Sequence, residues 1–216
     1  MSGFLPISAS DMRDRGWKEL DVILVTGDAY VDHPSYGAAV IGRVLEDAGY
    51  KVGVIAQPDW RSADDFRRLG RPRLFFGVTA GNIDSMVANY TANKIPRKED
   101  DYSPGGRSGM RPDRPSIVYT NRIREAFDRV PVVLGGLEAG MRRLAHYDYW
   151  SDSVRRSILL DSKADMLVYG MGERQVLEIA RRLDKGDDID SLSDIRGTVV
   201  VRNSTDGFKD CVTIPS

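Results

Sequence analysis

Four apolar residues in succession, Val22-Ile23-Leu24-Val25, give way at Thr26-Gly27-Asp28 to small and polar residues, and a helical pattern then runs from near Tyr36 to Gly49. An unbroken apolar run of that length reads as a strand buried on both faces. Similar runs predict strands at Val52–Ile55, Leu74–Val78, Val132–Leu134 and Met166–Val168. Between the first two, apolar residues at 40, 41, 44, 45 and 48 form one helical stripe, and Gly49 suits the position that ends a helix. Further helices are expected over Ala63–Leu69, after Gly81-Asn82-Ile83-Asp84, over Arg122–Phe127, from about Ser151 to Leu160, and over Glu173–Leu183. Strands alternating with helices indicate right-handed βαβ units and a parallel sheet.

Four of the five strand ends carry the same chemistry. Thr26, Gly27 and Asp28 follow the first strand, and Thr79, Gly81 and Asn82 follow the third. Gly135, Gly136 and Glu138 follow the fourth, and Gly170, Met171, Gly172 and Glu173 the fifth. Glycine lets a ligand approach the backbone closely, and open N–H groups at helix starts attract acidic groups. Tight turns also need glycine, but four ends of one kind favour a shared crevice at the strand C-termini. Asp32-His33-Pro34-Ser35 offers either a general base or metal ligand, or a helix-entry loop in which Ser35 caps the helix before Tyr36 and Gly37. Gly170-x-Gly172 lacks the third glycine of a dinucleotide fingerprint, and Gly81-Asn82 has no Lys-Ser/Thr behind it, so neither that motif nor a Walker A loop is present.

Two segments depart from the rhythm. Residues 94–115 are charged and rich in Pro and Gly, either a functional loop or a mobile insertion. Its basic residues are interleaved with acids, which argues weakly for nucleic acid. The last residues read as a hairpin, Gly197 to Phe208 and then Cys211–Ile214, that stops without a closing element, as a piece of something longer would. Residues 1–20 form a polar leader, with Trp17 and Leu20 as anchors.

Composition narrows the classes. The 216 residues are 41% hydrophobic and 29% charged with a net charge of −1, an ordinary globular profile with no global pull toward nucleic acid or membrane. One cysteine and two histidines cannot build a structural zinc site or hold an iron–sulfur cluster. No apolar run approaches the roughly 20 residues that cross a bilayer. Without a signal-peptide core, the expected compartment is the cytoplasm.

These residues form a known pattern. Pro34-x-x-Gly37 followed by Val44-Leu45-Glu46-x-Ala48-Gly49-Tyr50-x-Val52 resembles the opening of the cobalamin-binding-like domain that precedes many radical-SAM cores. Gly135-Gly136, Gly170-x-Gly172-Glu173 and Ile195-x-Gly197 match the same domain. Gly27 to Pro34, Ala56 to Arg61, Phe75 to Gly81 and Ala145 to Asp152 are similar to the N-terminal region of the largely uncharacterised YgiQ-like radical-SAM proteins. The resemblance covers nearly the whole chain. It implies a flavodoxin-like, doubly wound, five-stranded parallel sheet in the order 2-1-3-4-5 over residues 21–190, with a C-terminal β-hairpin at 191–216 leading to a radical-SAM core.

The resemblance also implies that the strand-end residues bind a cofactor or substrate over that core. The 4Fe-4S cluster and S-adenosylmethionine would belong to the core, since its Cys-x3-Cys-x2-Cys motif has no counterpart around Cys211. Reductive cleavage of S-adenosylmethionine there would give a 5′-deoxyadenosyl radical that takes hydrogen from an unknown small-molecule or macromolecular substrate. Domains that ligate cobalt from below use Asp-x-His-x-x-Gly, whereas Asp32 and His33 are adjacent here; the resemblance leaves cobalamin as a candidate, held without a protein ligand as in many radical-SAM relatives. The alternatives are a stand-alone nucleotide- or flavin-binding module and a domain contacting RNA through 94–115.

Overall fold

A computed structural model describes residues 3–204 and Val212. The chain runs α1 (Ala9–Asp14), β1 (Val22–Thr26), α2 (Gly37–Asp47), β2 (Val52–Ala56), α3 (Asp64–Arg67), β3 (Phe75–Thr79), α4 (Ser85–Asn89) and α5 (Pro115–Ala126). It continues through β4 (Val132–Gly135), α6 (Gly136–Met141), β5 (His146–Asp148), β6 (Ser153–Arg155), α7 (Ile158–Ser162), β7 (Met166–Val168), α8 (Glu173–Asp184) and β8 (Thr198–Val200). All five expected strands form, and they line up as β2-β1-β3-β4-β7, the 2-1-3-4-5 order. β1 is paired on both sides, with Val22 opposite both Val52 and Phe75.

Strand periodicity divides the core. Ile23 and Val25 face one side with Phe76, Val132 and Leu134, packing on Phe66 of α3 and Tyr119 and Ile123 of α5. Val22 and Leu24 face the other side with Phe75, Val133 and Met166, packing on Leu45 of α2 and Val176 and Ile179 of α8. Both faces are covered, which is why these strands are apolar throughout. Among the described residues no helix is long and apolar enough to cross a membrane.

Two expectations are corrected, the strand count and the helix at 151–160. The sheet has six strands, because β8 pairs antiparallel with β7 and closes that edge. The second strand of the expected hairpin, Cys211–Ile214, lies outside the described residues apart from Val212. The stretch 151–160 is largely not helical. Asp148 accepts hydrogen bonds from the Ser151 N–H and hydroxyl, and that turn folds β6 back onto β5; helix begins only at Ile158. The leader packs into the fold: the Val54 N–H donates to the Pro6 carbonyl at 2.8 Å, covering part of the β2 edge, and Leu5 and Leu20 are buried.

Residues 94–114 are an ordered strap. Arg111, with no exposed side-chain surface, places its Nη2 2.9 Å from Asp28 Oδ1 and 3.0 Å from Asp100 Oδ2. The Ser103 hydroxyl donates to Asp100, Gln57 Nε2 donates to Ser103 Oγ, and the Ala29 N–H donates to the Tyr102 carbonyl. The strap is thereby tied to the loops that follow β1 and β2. Other basic side chains of the strap are also engaged: Arg97 donates to the Val87 and Tyr90 carbonyls, Lys94 to the Trp150 carbonyl, and Arg114 pairs with Asp148. Breaking a buried ion pair from one side strands the remaining charges. Arg111→Met is expected to lower stability by about 3–5 kcal/mol, read from urea unfolding; a loss near that of a surface substitution would show that the strap is not anchored there.

Candidate functional site

Gly77 sits in the middle of β3 on the α2/α8 side of the sheet, and a side chain there would meet Leu24 Cδ2 at 2.7 Å. Its missing side chain leaves a slot between the sheet and the two helices. The cavity measures about 380 Å³ and opens at the C-terminal ends of the strands. Its floor is apolar, formed by Leu24, Phe75, Val133, Val168 and Val176, with Val40 and Ile41 from α2. Isolated glycine inside a strand pattern is a signal of close backbone approach, so Gly77 was legible, although only the strand ends stood out.

The loops around the mouth are built from short-range constraints. Gly81, at φ +115°, lies so close over the Asp28 carboxylate that any side chain would strike it, and Asp28 Oδ2 accepts the Asn82 N–H at 2.7 Å. Asn82 also reaches across to α2, accepting the Gly37 N–H at 3.3 Å and donating to the Ser35 carbonyl at 3.1 Å. At the far side, Gly136 (φ +83°) starts α6 against Thr79. Gly172 starts α8 without a side-chain cap.

The slot brings together thirteen of the sequence-derived candidates: Thr26, Asp28, Tyr36 and Gly37; Thr79, Gly81 and Asn82; Gly135 and Gly136; and Gly170, Met171, Gly172 and Glu173. Five lie elsewhere. Gly27 is pressed under the Ala80 carbonyl. Asp32 is paired with Arg43, which holds its carboxyl below the usual range. His33 is exposed and accepts the Ser35 N–H on Nδ1 at 3.1 Å. Ser35 does not cap α2: the N-cap residue is Tyr36, which caps nothing with its side chain, and Asn82 takes the Gly37 N–H instead.

Glu138 is fully buried away from the slot. Its Oε2 accepts the Ser85 N–H and hydroxyl and its Oε1 the Ser116 N–H, joining α4, α5 and α6. A carboxylate three residues beyond a glycine turn looks alike in sequence whether it faces a ligand or caps neighbouring helices. Sequence reading also missed Arg111 and Asp100 behind Asp28. Among the described residues no group of three His, Cys, Asp or Glu could hold a metal ion.

Asp28 is 2% exposed, and burial pushes its carboxyl from 3.8 up to about 6, the dominant effect despite the opposing attraction of Arg111. Its Oδ1 has no hydrogen-bond partner among the described residues; the Arg111 contact brings opposite charges together without hydrogen-bonding geometry.

A family model described as "Radical SAM N-terminal" matches residues 4–216. A UPF0313 protein of Thermotoga neapolitana is 67% identical over 196 residues, 91% of this chain and 35% of that protein. A UPF0313 protein of Methanosarcina acetivorans is 63% identical over 198 residues, 92% of this chain and 27% of that protein. The chain thus spans about a third or less of the length of these curated relatives. Among solved structures, the radical S-adenosylmethionine methyltransferase TsrM from Kitasatospora setae, with tryptophan substrate and a SAM analogue bound, is similar with a TM-score of 0.55 and 22% identity. The match covers 84% of this chain and 28% of that one, and it speaks for the fold.

A carboxyl whose folded pKa is raised holds its proton longer when folded than when unfolded, so its contribution to stability falls as pH rises from about 4 to about 6. Melting temperatures of wild type and Asp28→Asn across that window are expected to differ in slope, the variant lacking this decline. Equal slopes would mean that Asp28 titrates in the ordinary range.

Proposed function

The chain belongs to the radical SAM N-terminal family, and from that premise we propose that it is the cofactor-binding domain that presents a corrinoid to a radical-SAM core carried by the rest of the polypeptide. The observation that carries this reading is the slot opened by Gly77: apolar in its depth, lined by glycine at its mouth, and set where α/β sheets hold ligands. A bicyclic aromatic tail fits a cavity of that size and character. The mouth carries Leu137, 50% exposed, and Met171, 85% exposed, as apolar supports for one face of a flat ring system.

Among the described residues no histidine lines the slot, and His33 stands outside it. The corrinoid would therefore be held by the slot and the strand-end loops, with no cobalt–protein bond from these residues. When bound, it supplies a cobalt centre able to carry a methyl group or exchange electrons. This chain's own part is to bind and orient it. Leu24, Phe75 and Val133 exclude water from the tail, while Asp28 and the backbone around Gly81 and Gly136 face the rim. The cluster and S-adenosylmethionine fall to the remainder of the polypeptide, because this chain has a single cysteine.

Two observations weigh against contact with RNA through the strap. Arg97, Arg111 and Arg114 are held by groups of this chain, and Lys94 rests on Trp150 and Tyr149.

Titration of the purified chain with hydroxocobalamin is expected to give a saturable one-to-one complex with a raised melting temperature. Gly135 has extended backbone and open space where a side chain would stand, so Gly135→Leu obstructs the mouth without a clash; Gly136, with positive φ and Thr79 against it, is the poorer probe. Gly135→Leu is expected to weaken binding at least about tenfold while leaving the urea midpoint close to wild type. Absence of saturable binding, or undiminished binding by the variant, would remove the corrinoid or the slot from this account.

A further inference from the structure

The outer side of α8 carries a second concavity. Arg174, Glu178 and Arg181 share one face of the helix, at the i, i+4, i+7 spacing, on the side away from the buried Val176, Ile179 and Ala180. The loop before β8 runs back along that face. Its Asp194 lies 3.3 Å from Arg182 near the end of α8, and a side chain at Gly197 would strike the Gln175 amide near the start. Tied at both ends, the loop leaves a groove of about 600 Å³ between itself and the helix. Leu177 and Ile195, both packed against the core, line it, with Arg196 on the loop side.

Charge in this groove is unbalanced. Arg174, Arg181 and Arg196 are exposed, and their guanidinium groups have neither a hydrogen bond nor an ion pair among the described residues. Other arginines of the fold close onto acids, Arg43 on Asp32 and Glu46, and Arg73 on Asp21 and Asp184. Of the two acids that line the groove, Asp194 is committed to Arg182, which leaves only Glu178 to offset three open cations.

Guanidinium forks bind carboxylate or phosphate. Among the described lining residues there is no aromatic ring on which a nucleic-acid base would stack, whereas Leu177 and Ile195 set an apolar floor amid the arginines. Arg174 and Arg181 stand two helical turns apart, about 10.5 Å, the rise of about three residues of extended peptide. An extended peptide with carboxylates on both sides of an apolar side chain matches that arrangement.

The strength of such contacts points to their source. Exposed ion pairs are individually weak and screened by salt, so this groove holds a partner only at the effective concentration of a tether, about millimolar. The chain spans about a third or less of its curated relatives, and the rest of such a polypeptide is tethered to this domain. We infer that the α8 groove docks an acidic segment of the remainder of the same polypeptide, fastening it beside the slot. The inference rests on the preceding reading only for the existence of that remainder, and not on what the slot holds.

The 15N-labelled chain is titrated at low salt with an acetylated pentapeptide of four glutamates around a central leucine, following the amides of Leu177, Glu178, Ile195 and Gly197. Its glutamine counterpart, inorganic phosphate and a short oligothymidylate are titrated in parallel. The acidic peptide is expected to shift these amides with a dissociation constant of about a millimolar. The glutamine counterpart should bind at least about fivefold more weakly, and high salt should remove the effect. Arg181→Ala and Arg196→Ala, at exposed positions, should keep the wild-type urea midpoint and weaken binding, while Glu178→Gln strengthens it. Phenylglyoxal labelling, read by peptide mass spectrometry, then compares this chain with the full-length polypeptide. Arg174, Arg181 and Arg196 are expected to react several-fold more slowly in the longer form.

The inference is overturned if the acidic peptide leaves these amides unmoved at about 10 mM, or if the glutamine counterpart or phosphate binds equally well. Tighter binding of the oligothymidylate would make the groove a nucleic-acid surface instead. Equal labelling of the three arginines in both lengths would remove the tethered segment as the occupant. Equal labelling with hydroxocobalamin bound would sink this inference and leave the corrinoid reading standing. Protected arginines without hydroxocobalamin binding would do the reverse.

Discussion

The guanidinium of Arg111, buried between Asp28 and Asp100, is the contact on which the geometry of the strand ends depends. A charge with no exposed surface is tolerated only when paired, and the pairing reaches outward in two directions. Through Asp28 it fixes the loop after β1 and, by way of the Asn82 N–H, the loop after β3. Through Asp100 and Ser103 it reaches Gln57, in the loop after β2. Three loops that share no sequence neighbourhood are thereby held to one strap. Asn82, positioned in this way, goes on to satisfy the first turn of α2. The rim of the slot is a consequence of one ion cluster that lies behind it.

The two faces of the sheet have different tasks. On the α3/α5 side, Phe66, Phe76, Tyr119 and Ile123 are fully buried against one another and the sheet. On the α2/α8 side, the absence of a side chain at Gly77 leaves room between Leu24, Val133 and the helices. Glycine in mid-strand costs about 0.5–1 kcal/mol relative to alanine, a local weakness that the flanking pairings with β1 and β4 offset. The slot is thus a property of packing density on one face, set by a residue that contributes nothing to the core itself.

The elements whose partners are local were legible. Period-two and period-3.6 patterns are written within one segment, and they located all five parallel strands, α2 and α8. Positive-φ glycines at 81, 136 and 170 were legible for the same reason, since a tight strand-to-helix turn needs them. Ser151–Leu160 misled because the apolar residues at its end suit a helix, while Asp148, outside the segment, turns its first half into a strand. β8 was read correctly as a strand, while its pairing with β7 was not foreseen, since a strand's pattern does not say which edge it joins.

Residue pattern by itself therefore determined the layered α/β architecture and the chemistry at the strand ends, because both follow from backbone preferences and short-range burial, whereas the order of the strands was implied by the family resemblance. The tertiary structure alone decided which polar side chains face the slot. Asp28 and Glu173 reach it, whereas Glu138 and Asp32 are drawn off by Ser85, Ser116 and Arg43. Where a charged side chain finds its partner depends on which distant segments the closed chain brings within a few ångströms, and no local periodicity carries that information.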